Sequence, residues 1–123
     1  FIPETGFSIE VSIESNNPKT GAGLGINEIL VDMDSVVLPL TVRNRRPGDW
    51  FKPAGFDGTK KLKKFLIDSK ISRMDRQSLP VVVSGEANIV WVAGLRADRR
   101  WMVNPSTQRI LRLKLIRNLQ KQN

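Results

Sequence analysis

The sequence contains no cysteine and no histidine. Disulfide frameworks, thiolate nucleophiles, zinc-finger spacings and histidine-based triads are therefore excluded. General acid–base work falls to carboxylates and lysines alone. Long apolar runs are lacking too: the longest, Ile89 to Leu95, is about a third of a membrane span, so no membrane partner is expected. No secretory signal opens the chain, which starts on Phe1 rather than methionine and reads as a segment of a longer protein. The lack of cysteine suits a cytoplasmic location. What is present is a chain of 123 residues, long enough for a single domain, 1–123, that buries roughly two-thirds of its unfolded surface without metal or disulfide staples. Its 40% hydrophobic and 26% charged residues mark a globular rather than a disordered chain.

Charge is spread unevenly. Residues 1–42 sum to −5, with Lys19 against Glu4, Glu10, Glu14, Glu28, Asp32 and Asp34. Residues 43–76 sum to +7 and residues 77–123 to +6, which gives the total of +8. A basic surface on a small domain points to a polyanion partner, nucleic acid first. A solvated basic face that keeps the domain soluble accounts for the same numbers.

Phe7, Ile9, Val11 and Ile13 alternate with Ser8, Glu10, Ser12 and Glu14, which predicts a strand with one wet face. Turn residues crowd 15–21. Ile29, Val31 and Met33 predict a second strand, and the apolar stretch 36–42 is confined by Pro39 to a sheet edge or a bulge. Arg43 to Thr59 reads as loop. From Thr59 the period lengthens: Leu62, Phe65 and Leu66 fall at i, i+3 and i+4 and predict a helix from Lys60 to about Lys70, with Thr59 as N-cap and Ile67 off the stripe. A short helix from Ser72 to Leu79 follows, ended by Pro80. Residues 80–83 and 88–93 predict a hairpin buried on both faces. Leu111, Leu113 and Leu115 alternate with Arg112 and Lys114, a final strand with a basic outer face. The fold class is α+β: a mostly antiparallel, β-sandwich-like sheet with a basic helical insert.

That insert carries the most telling chemistry. Lys60, Lys61, Lys63 and Lys64 crowd the start of the expected helix, where each cation is on the order of 0.3–1 kcal/mol worse placed than a carboxylate. On that helix Lys60 and Lys64 form a like-charge i, i+4 pair. A bound phosphate relieves the arrangement; flexible side chains reaching into screened solvent relieve it as well. Gly55 and Gly58 in the preceding loop let backbone approach a ligand, or simply serve tight turns. No Walker A loop is present. Arg43, Arg45 and Arg46 open the loop with fork-like guanidinium groups suited to phosphate, and Asp49 among them orients an arginine rather than catalysing. Trp91 belongs to the core, whereas Trp50 and Trp101 neighbour charged residues and either stack on a base or pack half-buried. Asp32 and Asp34 fall on one face of the expected strand, a pair able to bind a divalent ion, although two carboxylates without further ligands are weak evidence for one, and no catalytic constellation emerges.

The stretch Arg46-Pro47-Gly48-Asp49, Phe51, Pro53, Gly55, Gly58 and Lys60-Lys61-Leu62-Lys63 continues through Asp68, Lys70-Ile71, Arg76 and Leu79-Pro80 to Trp91-Val92-Ala93-Gly94-Leu95-Arg96 and Asp98. This ordered string resembles the C-terminal domain of bacterial tRNA(Ile)-lysidine synthase. The likeness runs from about Val42 to Leu113, which makes 42–115 the family-matching core, 1–41 its N-terminal strands and 116–123 a frayed tail. Ser72 departs from the pattern, where the family usually has proline.

The resemblance implies a parent ligase that uses ATP and Mg to adenylate the wobble cytidine of a minor isoleucine tRNA and then joins lysine to it. That chemistry belongs to an N-terminal domain with a Ser-Gly-Gly-x-Asp-Ser loop. Ser84-Gly85-Glu86 is not that loop, so no cofactor, no metal and no catalytic residue is expected in this segment. The resemblance also implies contact with the tRNA(Ile) acceptor stem, the parent's own N-terminal catalytic domain as a partner, room for a homodimer through the parent, and a fold like a domain of the phenylalanyl-tRNA synthetase β subunit. The expected RNA surface comprises Arg43, Arg45, Arg46, Lys60, Lys61, Lys63, Lys64, Lys70, Arg73 and Arg76. The family pattern covers Arg46, Lys60, Lys61, Lys63, Lys70 and Arg76; charge and position supply the others. A generic RNA-binding module, or a structural or dimerisation domain whose basic face is incidental, remain the competing readings.

Overall fold

The computed structural model describes residues 7–17, 24–25 and 27–117. Three antiparallel sheets carry the architecture. The first has the order β1-β9-β2, from β1 (Phe7–Ser15), β2 (Glu28–Asp32) and β9 (Arg109–Arg117). The second has the order β3-β6-β7-β8, from β3 (Leu40–Arg43), β6 (Val81–Ser84), β7 (Asn88–Val92) and β8 (Arg96–Ala97). A two-stranded ribbon pairs β4 (Trp50–Phe51) with β5 (Lys60–Lys61). The helices α1 (Leu62–Asp68) and α2 (Arg73–Ser78) lie between β5 and β6 in the chain, and a 3-10 turn spans Arg99–Trp101. Among the described residues no helix is long and apolar enough to cross a membrane.

The second sheet is buried on both faces, as its near-continuous apolar strands require. Val82, Val90 and Trp91 face the first sheet, where they pack with Val31, Leu111, Leu113 and Leu115. Val81, Val83, Ile89 and Val92 face the other way, onto Phe51 and the α1 residues Leu62, Phe65 and Leu66. Two consecutive residues of β7, Val90 and Trp91, share a face because the register slips there: Val82 pairs with Trp91 but Val83 with Ile89, so Val90 is an extra, bulged residue. The layers are thus sheet, sheet and helix, with the ribbon and α1 on the side away from the first sheet.

Several expectations need correction. The helix does not begin at Lys60 with Thr59 as cap. Lys60 and Lys61 are strand residues opposite Phe51 and Trp50, and the helix starts at Leu62 with Lys61 at the N-cap position and no side-chain cap. Pairing with β4 outweighs the good helix propensity of the lysines. The stretch from Arg43 to Thr59 is not all loop, since it contains the end of β3 and all of β4. The α1 stripe is as expected, and Ile67, off that stripe, is exposed. Ser72 caps α2, its hydroxyl accepting from the Asp75 amide at 3.1 Å. β3 starts after Pro39 and forms a sheet edge. The expected dry face of β1 is only half covered: Phe7 and Ile9 pack on the core, while Val11 and Ile13 stand exposed. Ile116 and Arg117 belong to β9 rather than to a frayed tail, and 118–123, like most of the turn at 15–21, lie outside the described residues.

Candidate nucleic-acid interface

The loop between β3 and β4 is built around Asp49. Its carboxylate accepts two hydrogen bonds from the Arg43 guanidinium, both at 2.9 Å, and one from the Arg46 amide at 2.7 Å. Its backbone carbonyl accepts the amide of Leu62 at 2.9 Å, which ties the first residue of α1 to the loop. Burial pushes the Asp49 carboxyl up, but the hydrogen bonds from Arg43 and the Arg46 amide, with the charges of both arginines, outweigh it and hold the group below the ordinary aspartate range. Gly48, with φ of 85°, makes the turn that brings Asp49 back onto Arg43.

That staple sorts the expected RNA-facing residues. Arg43 spends its guanidinium on Asp49 and on the Asn44 carbonyl and is only 12% exposed. Arg45 and Arg46 line a groove with Pro47, Gly48, Asp49, Lys61 and Lys63, so the structure brings four of the ten cations together. The Nε of Arg45 is buried and carries no hydrogen bond. Lys60 and Lys61 are neighbours in a strand and point to opposite faces. Lys60 sits 5.7 Å from the centre of the Phe56 ring, which the Arg96 guanidinium also approaches at 5.5 Å. Because Lys60 precedes the helix, it forms no like-charge helical pair with Lys64, and Lys64 instead lies 3.4 Å from Asp68 on the exposed face. Lys63 and Lys64 occupy the first turn of α1, which holds no acidic residue.

Lys70 is exposed beyond the C-terminus of α1 with φ of 61°. Its amide donates to the Ile67 carbonyl at 2.9 Å and that of Ile71 to the Leu66 carbonyl at 3.1 Å, the Schellman pattern in which glycine normally takes the left-handed position. Arg73 is exposed at the start of α2. Arg76 turns inward and donates to the Ile71 carbonyl at 2.8 Å, so it braces the link between the two helices.

One cluster was not foreseen as a unit. Asp98 is completely buried, and its carboxylate accepts from the Lys52 amide and from the Arg100 amide, Nε and Nη2, all at 2.9–3.0 Å. So clamped, the Arg100 guanidinium lies 5.0 Å from the ring centres of both Trp50 and Trp101. Trp101 packs half-buried, with Nε1 donating to the Ile89 carbonyl at 3.0 Å, while Trp50 stays 41% exposed. The charged neighbours of both tryptophans were a visible signal; their convergence across fifty positions was not. Trp91 is core, as expected.

The acidic first block serves structure. Arg112 on β9 pairs with Glu14 and Glu28 across the first sheet. The Arg112 hydrogen bond holds the Glu14 carboxyl below its ordinary range, and the two carboxylates raise the Arg112 guanidinium. Asp32 accepts from the Asp34 amide and the Ser35 hydroxyl, and Asp34 pairs with Arg109, so these two carboxylates do not converge on one point. Among the described residues no cluster of three or more carboxylates is placed to hold a metal ion.

Comparison with known proteins decides the family. Residues 40–115 match the family model described as the TilS substrate C-terminal domain. The chain belongs to that family. Its relatives include the tRNA(Ile)-lysidine synthases of Symbiobacterium thermophilum, 42% identical over 92 residues, and of Parabacteroides distasonis, 43% identical over 81 residues. These matches cover 75% and 66% of this chain but only 19% and 18% of those proteins, so the chain spans about a fifth of the length of its relatives. The crystal structure of a TilS C-terminal domain superposes with a TM-score of 0.77 at 36% identity, covering 92% of this chain and 85% of that one. An N-terminal fragment of the phenylalanyl-tRNA synthetase β subunit from Pyrococcus horikoshii gives a TM-score of 0.60 at 16% identity over 86% of this chain and 28% of that one, a likeness of fold alone. The TilS C-terminal domain is therefore an α+β unit of mostly antiparallel sheets, as the sequence pattern predicts.

Proposed function

We propose that this domain holds the acceptor stem of tRNA(Ile) for a parent ligase that uses ATP to join lysine to the wobble cytidine. The observation that carries the reading is the groove in which Arg45, Arg46, Lys61 and Lys63 converge beside a loop fixed by Asp49. A-form stems have a major groove too deep and narrow for side chains to read, and are recognised mostly by shape through phosphates and 2′-hydroxyls. A cluster of cations on a rigid loop and strand suits that surface and needs no base code. Exposed Lys70 and Arg73 extend the basic surface along the helical layer. Arg43 and Arg76 support it from behind, as positioning residues.

The test is Lys61→Glu with Lys63→Glu. Both side chains are exposed, and a carboxylate at 63 interacts well with the start of α1, so the melting temperature should stay within about 3 °C. Affinity for an acceptor-stem hairpin should fall at least tenfold, and the slope of log K against log salt should shrink by roughly 1.8, about 0.9 for each lost phosphate contact. Unchanged affinity removes the groove from the RNA interface. A second reading, a domain that braces its parent or a dimer, draws on the exposed Val11, Ile13, Val37 and Leu38. A parent protein that keeps full tRNA affinity after loss of this domain would favour it.

A further inference from the structure

The basic groove runs into a second hollow, lined by Gly48, Trp50, Lys52, Thr59 and Lys61. Gly48 and Lys61 line both. We propose that this second hollow takes an unpaired nucleobase, the first of a single-stranded 3′ end, stacked on Trp50; the inference rests on the RNA reading given above.

Trp50 is unlike the other tryptophans. Trp91 fills the core and Trp101 is fixed through its Nε1, whereas Trp50 leaves 41% of its surface in solvent. Its ring is nevertheless held. One face carries the Arg100 guanidinium at 5.0 Å, and Arg100 is clamped by the fully buried Asp98. A large, rigid, exposed indole with a cation over one face is a stacking platform that needs no reordering when a base arrives.

Position and charge select the occupant. Trp50 and Lys61 are direct register partners on β4 and β5, so their side chains rise from the same face with Cβ atoms roughly 5 Å apart. Lys61 therefore reaches the phosphate of the nucleotide whose base lies on Trp50. Lys52 lines the hollow as a second cation, and no carboxylate does. Gly48 has open space where a Cβ would point, which lets the chain pass from groove to hollow. An apolar peptide would gain nothing from the two lysines, while a nucleotide uses both the ring and the charges. A duplex base is already stacked and cannot enter; an unpaired base at the end of a stem can.

The experiment measures binding of the 123-residue chain to three seven-base-pair RNA hairpins: blunt, with a four-nucleotide 3′ overhang, and with the same overhang at the 5′ end. The 3′ overhang should tighten binding roughly five- to a hundredfold over the blunt form, the range expected for one stacked base. Trp50→Leu, which keeps an apolar side chain but no π-face, should bind the blunt hairpin as before and lose the gain. Trp50→Phe should retain most of it. Equal binding of blunt and overhung hairpins overturns the inference and leaves the groove intact, whatever the variants do. A gain that survives in Trp50→Leu, or that the 5′ overhang matches, overturns it as well. Failure to bind any of the three hairpins overturns the RNA reading itself.

Discussion

Replacing Lys70 by glycine should raise the stability of the domain and lower its affinity for RNA. Lys70 is the one non-glycine among the described residues with positive φ. The turn around it is fixed by three backbone bonds, from the Ser69, Lys70 and Ile71 amides to the Phe65, Ile67 and Leu66 carbonyls, so relaxing φ would break the end of α1. Holding an L-residue left-handed costs roughly 1–2 kcal/mol. Glycine removes that cost but gives the unfolded chain extra freedom, about 0.4–1 kcal/mol, and the lost cation interacted weakly with the helix end. The net gain is about 0.5–1 kcal/mol, or roughly 2–4 °C in melting temperature for a domain of this size. The same change removes one exposed cation, so RNA affinity should fall severalfold and the salt slope should shrink by about 0.9. Thermal melting and a titration at several salt concentrations on one preparation read both effects. Lys70→Asn, which tolerates the same φ, should match glycine in binding. A lower melting temperature for Lys70→Gly would refute the strain argument. A higher one with an unchanged salt slope would take Lys70 off the RNA face.

Removing the buried carboxylate by Asp98→Ala leaves the Lys52 amide and three Arg100 donors unpaired. With Arg100 partly exposed, the loss should be near the lower end for a broken buried pair, about 3 kcal/mol or roughly 10 °C; melting within about 2 °C of the unaltered protein would count against the clamp. Acid should loosen the Asp49 staple. Its folded carboxyl titrates below the ordinary aspartate range, so the unfolded chain takes up the proton first, and the stability present above that range is lost as pH falls through it. Between roughly pH 6 and 2 the unaltered chain should lose stability faster than Asp49→Asn; parallel curves would show that Asp49 gains nothing from its partners.

Much of this was legible where periodicity and burial coincide. The hairpin of β6 and β7 and the alternation of β9 are visible because neighbouring layers cover the same residues that the pattern marks as apolar. The bulge at Val90 was not visible, since a run of apolar residues reads alike with or without a slip. The start of α1 was misplaced because Lys60 and Lys61 satisfy a helical pattern locally. Only pairing with Trp50 and Phe51, ten residues away in the chain, makes them strand. The expected RNA surface suffers from a related blindness. Arg43 and Arg46 look equivalent in sequence, yet Asp49 accepts the guanidinium of the first and only the amide of the second. Charge counts cannot tell a spent cation from a free one.

The same distinction changes what the net charge means. The C-terminal third appears as basic as the centre, but Arg109 and Arg112 pair with Asp34, Glu14 and Glu28 of the acidic first block, and Arg100 pairs with Asp98. Much of that positive charge is neutralised within the sheet layers. Arg45, Lys61, Lys63, Lys70 and Arg73 form no ion pair among the described residues. All of them come from the segment between β3 and β6, and the ribbon and helix that carry Lys61 and Lys63 lie on the layer away from the first sheet. The fold thus uses Arg109 and Arg112 to join the strands of the first sheet and Arg100 to fix the turn after β8, and leaves the other five without a carboxylate partner among the described residues. A field concentrated in this way orients an approaching polyanion toward the groove before any contact forms. Neutralising Arg112, whose pairs are partly buried, should therefore act on stability, and neutralising Lys61 or Lys63 on binding, although each substitution changes the net charge by the same amount.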